Sequence, residues 1–558
     1  MPRGRKGPPQ ESIDSILLAM SRRDDIDPTT LSHYFDRLDE EWTDGAREKV
    51  LHLLHTNDIT AHSAAVLILS ELATNFDLEE LEDVVADPTV SDMAKLTLAP
   101  VLKELGSEMA DDGIIEYLND PEAAMLQMQI RLLELVGQSE LGVESVLEDV
   151  LSMPMDRRLG FINWLGMSQD PRASKLLIPL LENQSTKVVL ATIESLEQLG
   201  PVAAHQSIPA LNYLLANSAN RQVKQKARAA LGRLTMQSSP GTEDAAMAEV
   251  LQIQQQPLHE ARVSFVDGSG AQMVILSWQR PDGLLKGVNV LYQDEWGIKD
   301  CYGTDEMEME RWTELVESME EQGFGSFKVP LAYCHALITE ARAINKRTRH
   351  KVPVAYAVWR PFIEGDDANK KQNPPVMTLL DRRPFTPEVA TLAQRGDELY
   401  ALSEFESWFY DPFANIRSYV GPYTSILGNM QSPSRSRKRK GTLQKADTHK
   451  ADLEAIVSEA LDKVIDTKWR VLYETRLRRQ GALFQLVERT NDARLVSAVA
   501  STLHPDSGVL PRNQPFLRAM MHRSLENGLL RLMTEAFENG PFGGLPLDFL
   551  SNEDDLPF

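Results

Sequence analysis

Cysteine is almost absent: the 558 residues hold two, Cys301 and Cys334. Two well-separated thiols close one disulfide at most and cannot build a metal-binding cysteine cluster. That usage suits a reducing compartment, and a cytoplasmic location is the expectation. Long apolar runs are missing too. Stretches such as Ala64–Leu69 are far too short to span a bilayer, so no membrane partner is expected. Gly7-Pro8-Pro9-Gln10-Glu11 follows the basic start, where a secretory leader would need an apolar core. Motif chemistry is equally sparse. The chain has no GxxxxGK[ST] phosphate loop, no GxGxxG after a strand, no GxSxG elbow, no HExxH pair and no EF-hand loop. Positive charge is outweighed, with 58 Lys and Arg against 82 Asp and Glu and a net charge of −24. An acidic chain of this kind is soluble and a poor bulk binder of nucleic acid.

What the chain does have is a helical repeat. Ile208 to Leu234 reads as two short amphipathic helices joined by a polar turn at Asn217–Asn220. One such pair cannot bury its apolar face alone, but stacked on neighbours it can. The Leu-Gly near its end recurs as Leu105-Gly106, Val136-Gly137, Leu165-Gly166 and Leu199-Gly200, with Leu72-Ala73 in the same phase, at intervals of 29 to 34 residues. Gly there is expected to close each helix in the left-handed conformation. First helices of successive pairs are expected at Leu78–Ala86, Gly113–Asn119, Val143–Ser152, Ala173–Asn183 and Ala204–Asn217. Asp87-Pro88 and Asp120-Pro121 read as turns in which Asp caps the next helix and Pro fits its first turn. Ile178-Pro179 and Ile208-Pro209 fall in matching positions.

Ile208-Pro-x-Leu211-x-x-Leu214-Leu215, followed by Val223-Lys224-x-x-Ala227-x-x-Ala230-Leu231-Gly232-x-Leu234, resembles a HEAT repeat, with Lys224 where that family usually has Arg. The resemblance covers roughly residues 44–235. It implies an armadillo-like α-solenoid, curved, with a surface that binds a protein partner, and it implies no activity.

The whole chain reads as mainly α, in successive parts. Residues 1–10 form a disordered basic tail, in which Pro2-Arg3-Gly4-Arg5 resembles the core of an AT-hook with Lys6 in place of the usual Pro. Residues 11–236 form the HEAT-like domain, opening with two helices over 11–40 as a cap. Residues 237–257 are a linker. Residues 258–365 form a small α+β module. Strands at Arg262–Val266, Gln272–Gln279 and Leu284–Tyr292, with turns at Asp267–Gly270 and Pro281–Gly283, predict an antiparallel meander. Helices are expected at Asp305–Gln322 and Pro330–Lys346, and an edge strand at Lys351–Arg360. A linker at 366–385 leads to a helical domain at 386–550. That domain has helices at Glu398–Tyr410, Lys450–Gln480, Ala482–Arg489, Asp492–Leu503 and Pro515–Glu538, and a disordered basic loop at 431–447. Residues 551–558 are an acidic tail.

No catalytic, cofactor-binding or metal-binding residue is expected. His52 and His55 lie three apart on a helix with His62 on the next, but no third ligand falls in a zinc pattern. Cys334 and His335 are neighbours on a helix and point apart. Asp305 to Glu310 places carboxylates at an expected helix start, where they favour the dipole. Leu402, Phe405, Trp408 and Phe409 at helical spacing read as core. Basic residues do cluster in the C-terminal half: Arg342, Lys346, Arg347, Arg349 and Lys351; Arg435, Arg437, Lys438, Arg439 and Lys440; and Arg476, Arg478 and Arg479. Of these, Arg435, Arg437, Lys438, Arg439, Lys440, Arg347 and Arg349 are the candidate contacts for an anion or nucleic acid. The reading is a non-enzymatic scaffold or adaptor. The alternatives are a nucleic-acid-associated regulator using those basic patches, and an enzyme in the 258–365 module.

Overall fold

Apolar residues at helical spacing dominate the chain, and helices dominate the computed structural model. The structure describes residues 12–22, 26, 28–237, 256–321, 325–364, 386–431 and 439–532. Pro2–Arg5, the acidic tail, and Arg435, Arg437 and Lys438 of the basic loop lie outside them. Contacts divide the chain into two compact units, Met1–Leu135 and Val136–Phe558. The division falls inside the expected repeat domain rather than at its end.

The first unit holds helices α1 (Ile13–Arg22), α2 (Pro28–Glu40), α3 (Ala46–Leu54), α4 (Ile59–Leu72), α5 (Leu78–Ala86) and α6 (Asp92–Glu104). Helix α5 has its expected bounds. The expected helix at Gly113–Asn119 is instead a 3₁₀ run, Asp111–Tyr117. Asp58 caps α4 by accepting from the Thr60 amide at 2.9 Å. Asp87 does not cap α6: it accepts from the Thr89 amide at 2.7 Å in a local turn, and Ser91 caps the helix four residues later. Ile16, Leu38, Val50, Ile68, Val85 and Leu98 lie fully buried in one core. His62 turns inward, with Nε2 2.7 Å from the Thr56 carbonyl oxygen, while the His52 and His55 rings stack at 6.5 Å.

Helix α7 (Pro121–Gln138) carries the division. Asp120 caps it as expected, accepting from the Ala123 amide at 3.1 Å. The second unit continues with α8 (Glu140–Ser152), α9 (Met155–Met167), α10 (Ala173–Leu180), α11 (Thr186–Leu199), α12 (Ala204–Asn217) and α13 (Arg221–Gln237). Helix α9 packs on α11, and α11 and α12 pack on α13. Leu196, Leu199, Ala227 and Ala230 are buried as expected, but Leu231 is only partly so, and Leu234 takes the core position. The glycine reading holds in part. Gly106 and Gly200 follow helix ends with φ of +80° and +60°. Gly137, Gly166 and Gly232 lie inside α7, α9 and α13, which run through them.

Strands β1 (Leu258–Ser264), β2 (Ala271–Gln279), β3 (Leu285–Gln293), β4 (Gly297–Met307) and β5 (Ser326–Lys328) form one antiparallel sheet, in the order β4-β3-β2-β1-β5. The expected meander is present. Its β2–β3 register runs unbroken from Ala271↔Gln293 to Gln279↔Leu285. Gly270 and Gly283 take φ of +80° and +90° at the two turns; Gly283 is the glycine of its Asp-Gly pair, while at the first turn the left-handed residue is Gly270 and not Gly268 of Asp267-Gly268. Two expectations fail. Asp305 and Glu306 belong to β4, not to a helix start, and α14 begins only at Met309 (Met309–Glu321). Asp305 points inward, 3.2 Å from the Lys286 ammonium, which is why an acidic residue sits on a buried strand position. Lys351–Arg360 is not an edge strand. After α15 (Leu331–Thr348) the chain forms helix α16 (Val354–Glu364), whose buried Tyr356, Trp359, Phe362 and Ile363 follow a helical period.

Helices α15 and α16 pack against the sheet, and α8 and α10 pack on α16. Trp312 of α14 packs in a smaller cluster with Ile275 and Leu285. The central strand β2 is accordingly buried along most of its length. Five helices follow: α17 (Pro387–Ala393), α18 (Arg417–Gln431), α19 (Arg439–Val464), α20 (Thr467–Leu486) and α21 (Thr490–Leu503); then comes α22 (Pro515–Glu526), and residues 528–532 are helical beyond a turn at Asn527. Arg439 and Lys440 therefore open α19 instead of lying in a loop. The expected Lys450–Gln480 helix is interrupted where Asp466 caps α20 through the Trp469 amide at 2.7 Å. The expected helix at Glu398–Tyr410 is a series of short 3₁₀ turns, though Phe405 and Trp408 are fully buried core residues.

Candidate functional site

Helix α15 carries one polar stripe. His335, Thr339, Arg342, Lys346 and Arg349 follow each other by four, three, four and three residues, the spacing of one helix face. The opposite face buries Tyr333, Leu337, Ala341 and Ile344 against the sheet. Asn345 locks the helix in place. Its side chain accepts from the Ile298 amide at 2.7 Å and donates to the Ile298 carbonyl at 3.1 Å, tying α15 to β4. The stripe is thereby turned toward α10, α12 and the turn after α12.

A cleft of about 770 Å³ lies between them. Its cationic wall is Arg342, Lys346, Arg349 and Lys351, and its far wall is the polar turn Asn217–Asn220 with Thr186. Leu181, Val189, Leu214, Ile338 and Ile363 give it an apolar floor, all of them buried.

Not every cation is free to serve a ligand. Arg342 is held by the Glu364 carboxylate at 2.5 Å and by the Tyr213 hydroxyl. Arg360 lies 4.1 Å over the Tyr213 ring and pairs with Glu182 at 3.3 Å. The Lys351 ammonium donates to the Asn183 carbonyl, and burial lowers its pKa against an opposing pull from Glu182. Lys346 and Arg349 are exposed and make no ion pair among the described residues. Arg349 is also strained. It closes α15 with φ of +65°, the left-handed conformation that Gly or Asn occupies at least cost.

Of the sequence candidates, Arg349 lines this cleft and Arg347 does not, although Arg347 is exposed. Arg476, Arg478 and Arg479 are buried, though Arg478 lines a second cleft with Arg395 and Arg494. Arg476 is buried and grips Asp294 with bonds of 2.8 and 3.0 Å, besides donating to the Gly268 carbonyl at 2.6 Å. Arg478 pairs with Glu474 at 2.8 Å, and Arg479 with Glu340. Both are buried, so these three cations neutralise internal carboxylates.

Cys301 and Cys334 are both free and buried. Burial pushes the Cys334 thiol up to about 12 and raises Cys301 as well, so neither is a ready thiolate at neutral pH. Among the described residues no cluster of three or more His, Cys, Asp or Glu could hold a metal ion, and no helix is long and apolar enough to cross a membrane. No protein-family model matches this chain, and neither a curated protein nor a solved structure matches it.

Sequence reading had picked out Arg342, Lys346, Arg349 and Lys351 as basic residues but not as a stripe. The four-three spacing back to Thr339 and His335 was the available signal. The far wall, Thr186 and Asn217–Asn220, carried none.

Proposed function

We propose that this protein is a non-enzymatic scaffold of helical repeats, HEAT-like over roughly residues 44–235, that holds a protein partner. The observation that carries the reading is the cleft on α15, where two exposed cations that form no ion pair among the described residues, and an apolar floor, face the turn between α12 and α13. Paired helices with a shared core present such surfaces without a dedicated reaction centre. Both cysteines are free, which suits a reducing cytoplasm. The nucleic-acid alternative loses Arg476, Arg478 and Arg479, which are spent on internal pairs, and keeps exposed Arg347 and Arg349, while Arg435, Arg437 and Lys438 lie outside the described residues.

The test is affinity capture from the native cell with the full chain and with a Lys346→Glu, Arg349→Glu double variant. A partner should co-purify with the parent and be lost from the variant. A partner retained equally by both would overturn the role assigned to the cleft.

A further inference from the structure

The cleft's chemistry narrows what it takes. We propose that it receives an extended acidic peptide segment of the partner in which acidic and aliphatic side chains alternate; this rests on the binding role proposed above.

Charge comes first. The chain carries −24 overall, so a local pair of unneutralised cations selects for an anion against the surrounding field. Arg342 and Arg360 already have carboxylates, which leaves Lys346 and Arg349 as the ligand's counter-charges.

Spacing comes second. Lys346 and Arg349 stand three residues, about 4.5 Å, apart along the helix. Same-side residues of an extended chain lie about 7 Å apart, so two acidic side chains at alternate positions can each meet one of these two long, exposed cations. The intervening side chains then point to the other side, toward the floor of Leu181, Leu214, Ile338 and Ile363. On the far wall Asn217 donates to the Tyr213 carbonyl at 3.0 Å and Asn220 accepts from the Gln222 amide at 2.9 Å, so this wall is a fixed polar surface beside the ligand and not its main anchor.

The third argument is the backbone at Arg349. A left-handed helix end is cheapest with Gly, yet this chain places its longest cation there, on the rim of the cleft. Strain of this kind persists where the side chain has a task. A single-stranded polynucleotide fits less well. Of the rings that line the cleft, Tyr213 is already engaged by Arg342 and Arg360 and His350 is stacked on Trp296 at 3.6 Å, so neither is a ready platform for a base.

The experiment uses the full chain on an array of random short peptides of graded net charge, with an oligothymidylate as the nucleic-acid probe. Bound peptides should be enriched in alternating acidic and aliphatic residues. The Lys346→Glu, Arg349→Glu variant should lose that binding by roughly tenfold or more, and Arg347→Glu, outside the cleft, should not. Arg349→Gly supplies a variant that relieves strain, so it should melt no lower than the parent and still bind acidic peptides more weakly. No acidic excess among bound peptides, or an excess that survives the double reversal, overturns the proposal. So does oligothymidylate binding that alone responds to these variants. Partner capture that depends on Lys346 and Arg349 while no acidic peptide binds would leave the scaffold standing and remove this inference. Capture that ignores both residues removes the scaffold's use of the cleft itself.

Discussion

The indole Nε1 of Trp359 donates to Glu144 Oε2 at 2.6 Å, and this bond fastens helix α8 to α16 over the end of the sheet. The same carboxylate oxygen accepts from the Gly303 amide at 3.3 Å, which brings β4 into the joint. Gly303 has to be Gly, because an added Cβ would stand 2.0 Å from the Trp359 ring. The helices that continue the repeat and the sheet module therefore share one unit, where the sequence suggested two domains and a linker.

Glu144 makes that joint sensitive to pH. Burial, the largest influence, raises its pKa, and the two hydrogen bonds oppose the rise without cancelling it. The folded state thus binds the proton more tightly than the unfolded chain does. Stability is gained as pH falls through the folded pKa toward about 4.3, and is lost as pH rises again. Glu144→Gln keeps an acceptor and removes the charge. It should match or exceed the parent at neutral pH and flatten the slope of melting temperature between pH 5 and 7.5. Glu144→Ala leaves a buried indole donor unpaired and should cost about 1–3 kcal/mol. Thermal melts at two pH values check both, and an unchanged slope in Glu144→Gln would remove Glu144 from the account.

Two glycines from one sequence pattern should respond in opposite ways. At Gly166 in α9 an added Cβ would lie 2.7 Å from the Ser195 Cα and 2.8 Å from its Cβ, where α11 crosses closely. Gly232 in α13 faces open space, with nothing within 4 Å. Gly166→Ala should destabilise by about 1–3 kcal/mol through overpacking. Gly232→Ala should stabilise by about 0.5–1 kcal/mol, since Ala is the better residue inside a helix. Denaturant titrations of the two variants decide it. Equal shifts in one direction would mean that helix propensity or packing alone governs both.

Legibility followed the range of the interaction. Leu78–Ala86 and Ala204–Asn217 were readable to the residue, because their apolar period and flanking breaks are local. The three meander strands were readable because Asp-Gly turns bracket them. Strand β4 was not, since Lys299, Asp300 and Asp305 make it look solvated. Asp305 becomes a strand residue only beside Lys286, which lies on β3. The short β5 pairs with β1 across more than sixty residues and has no pattern of its own. At the cleft, the cations were legible as residues and their pairing was not. Which of Arg342, Lys346, Arg349 and Arg476 stays free depends on Glu364 and Asp294, and Asp294 lies 182 residues from Arg476 in sequence.

That last pair yields the sharpest test of the C-terminal reading. Asp294 and Arg476 are 4% and 3% exposed at their side chains, and they meet through two bonds between the end of the sheet and α20. The guanidinium also holds the Gly268 carbonyl, so the β1–β2 turn is pinned to the same helix. Burial pulls the Arg476 pKa down, but hydrogen bonding to Asp294 and its charge more than restore it, leaving it raised. Removing one partner strands the other charge away from water. Asp294→Ala should therefore cost about 3–5 kcal/mol, as should Arg476→Ala. The double variant should cost less than the sum, because the second truncation removes the stranded charge left by the first. A double-mutant cycle by denaturant unfolding measures that difference. Additive losses would mean that the two side chains are not coupled, and Arg476 would then return to the list of cations available to an outside partner.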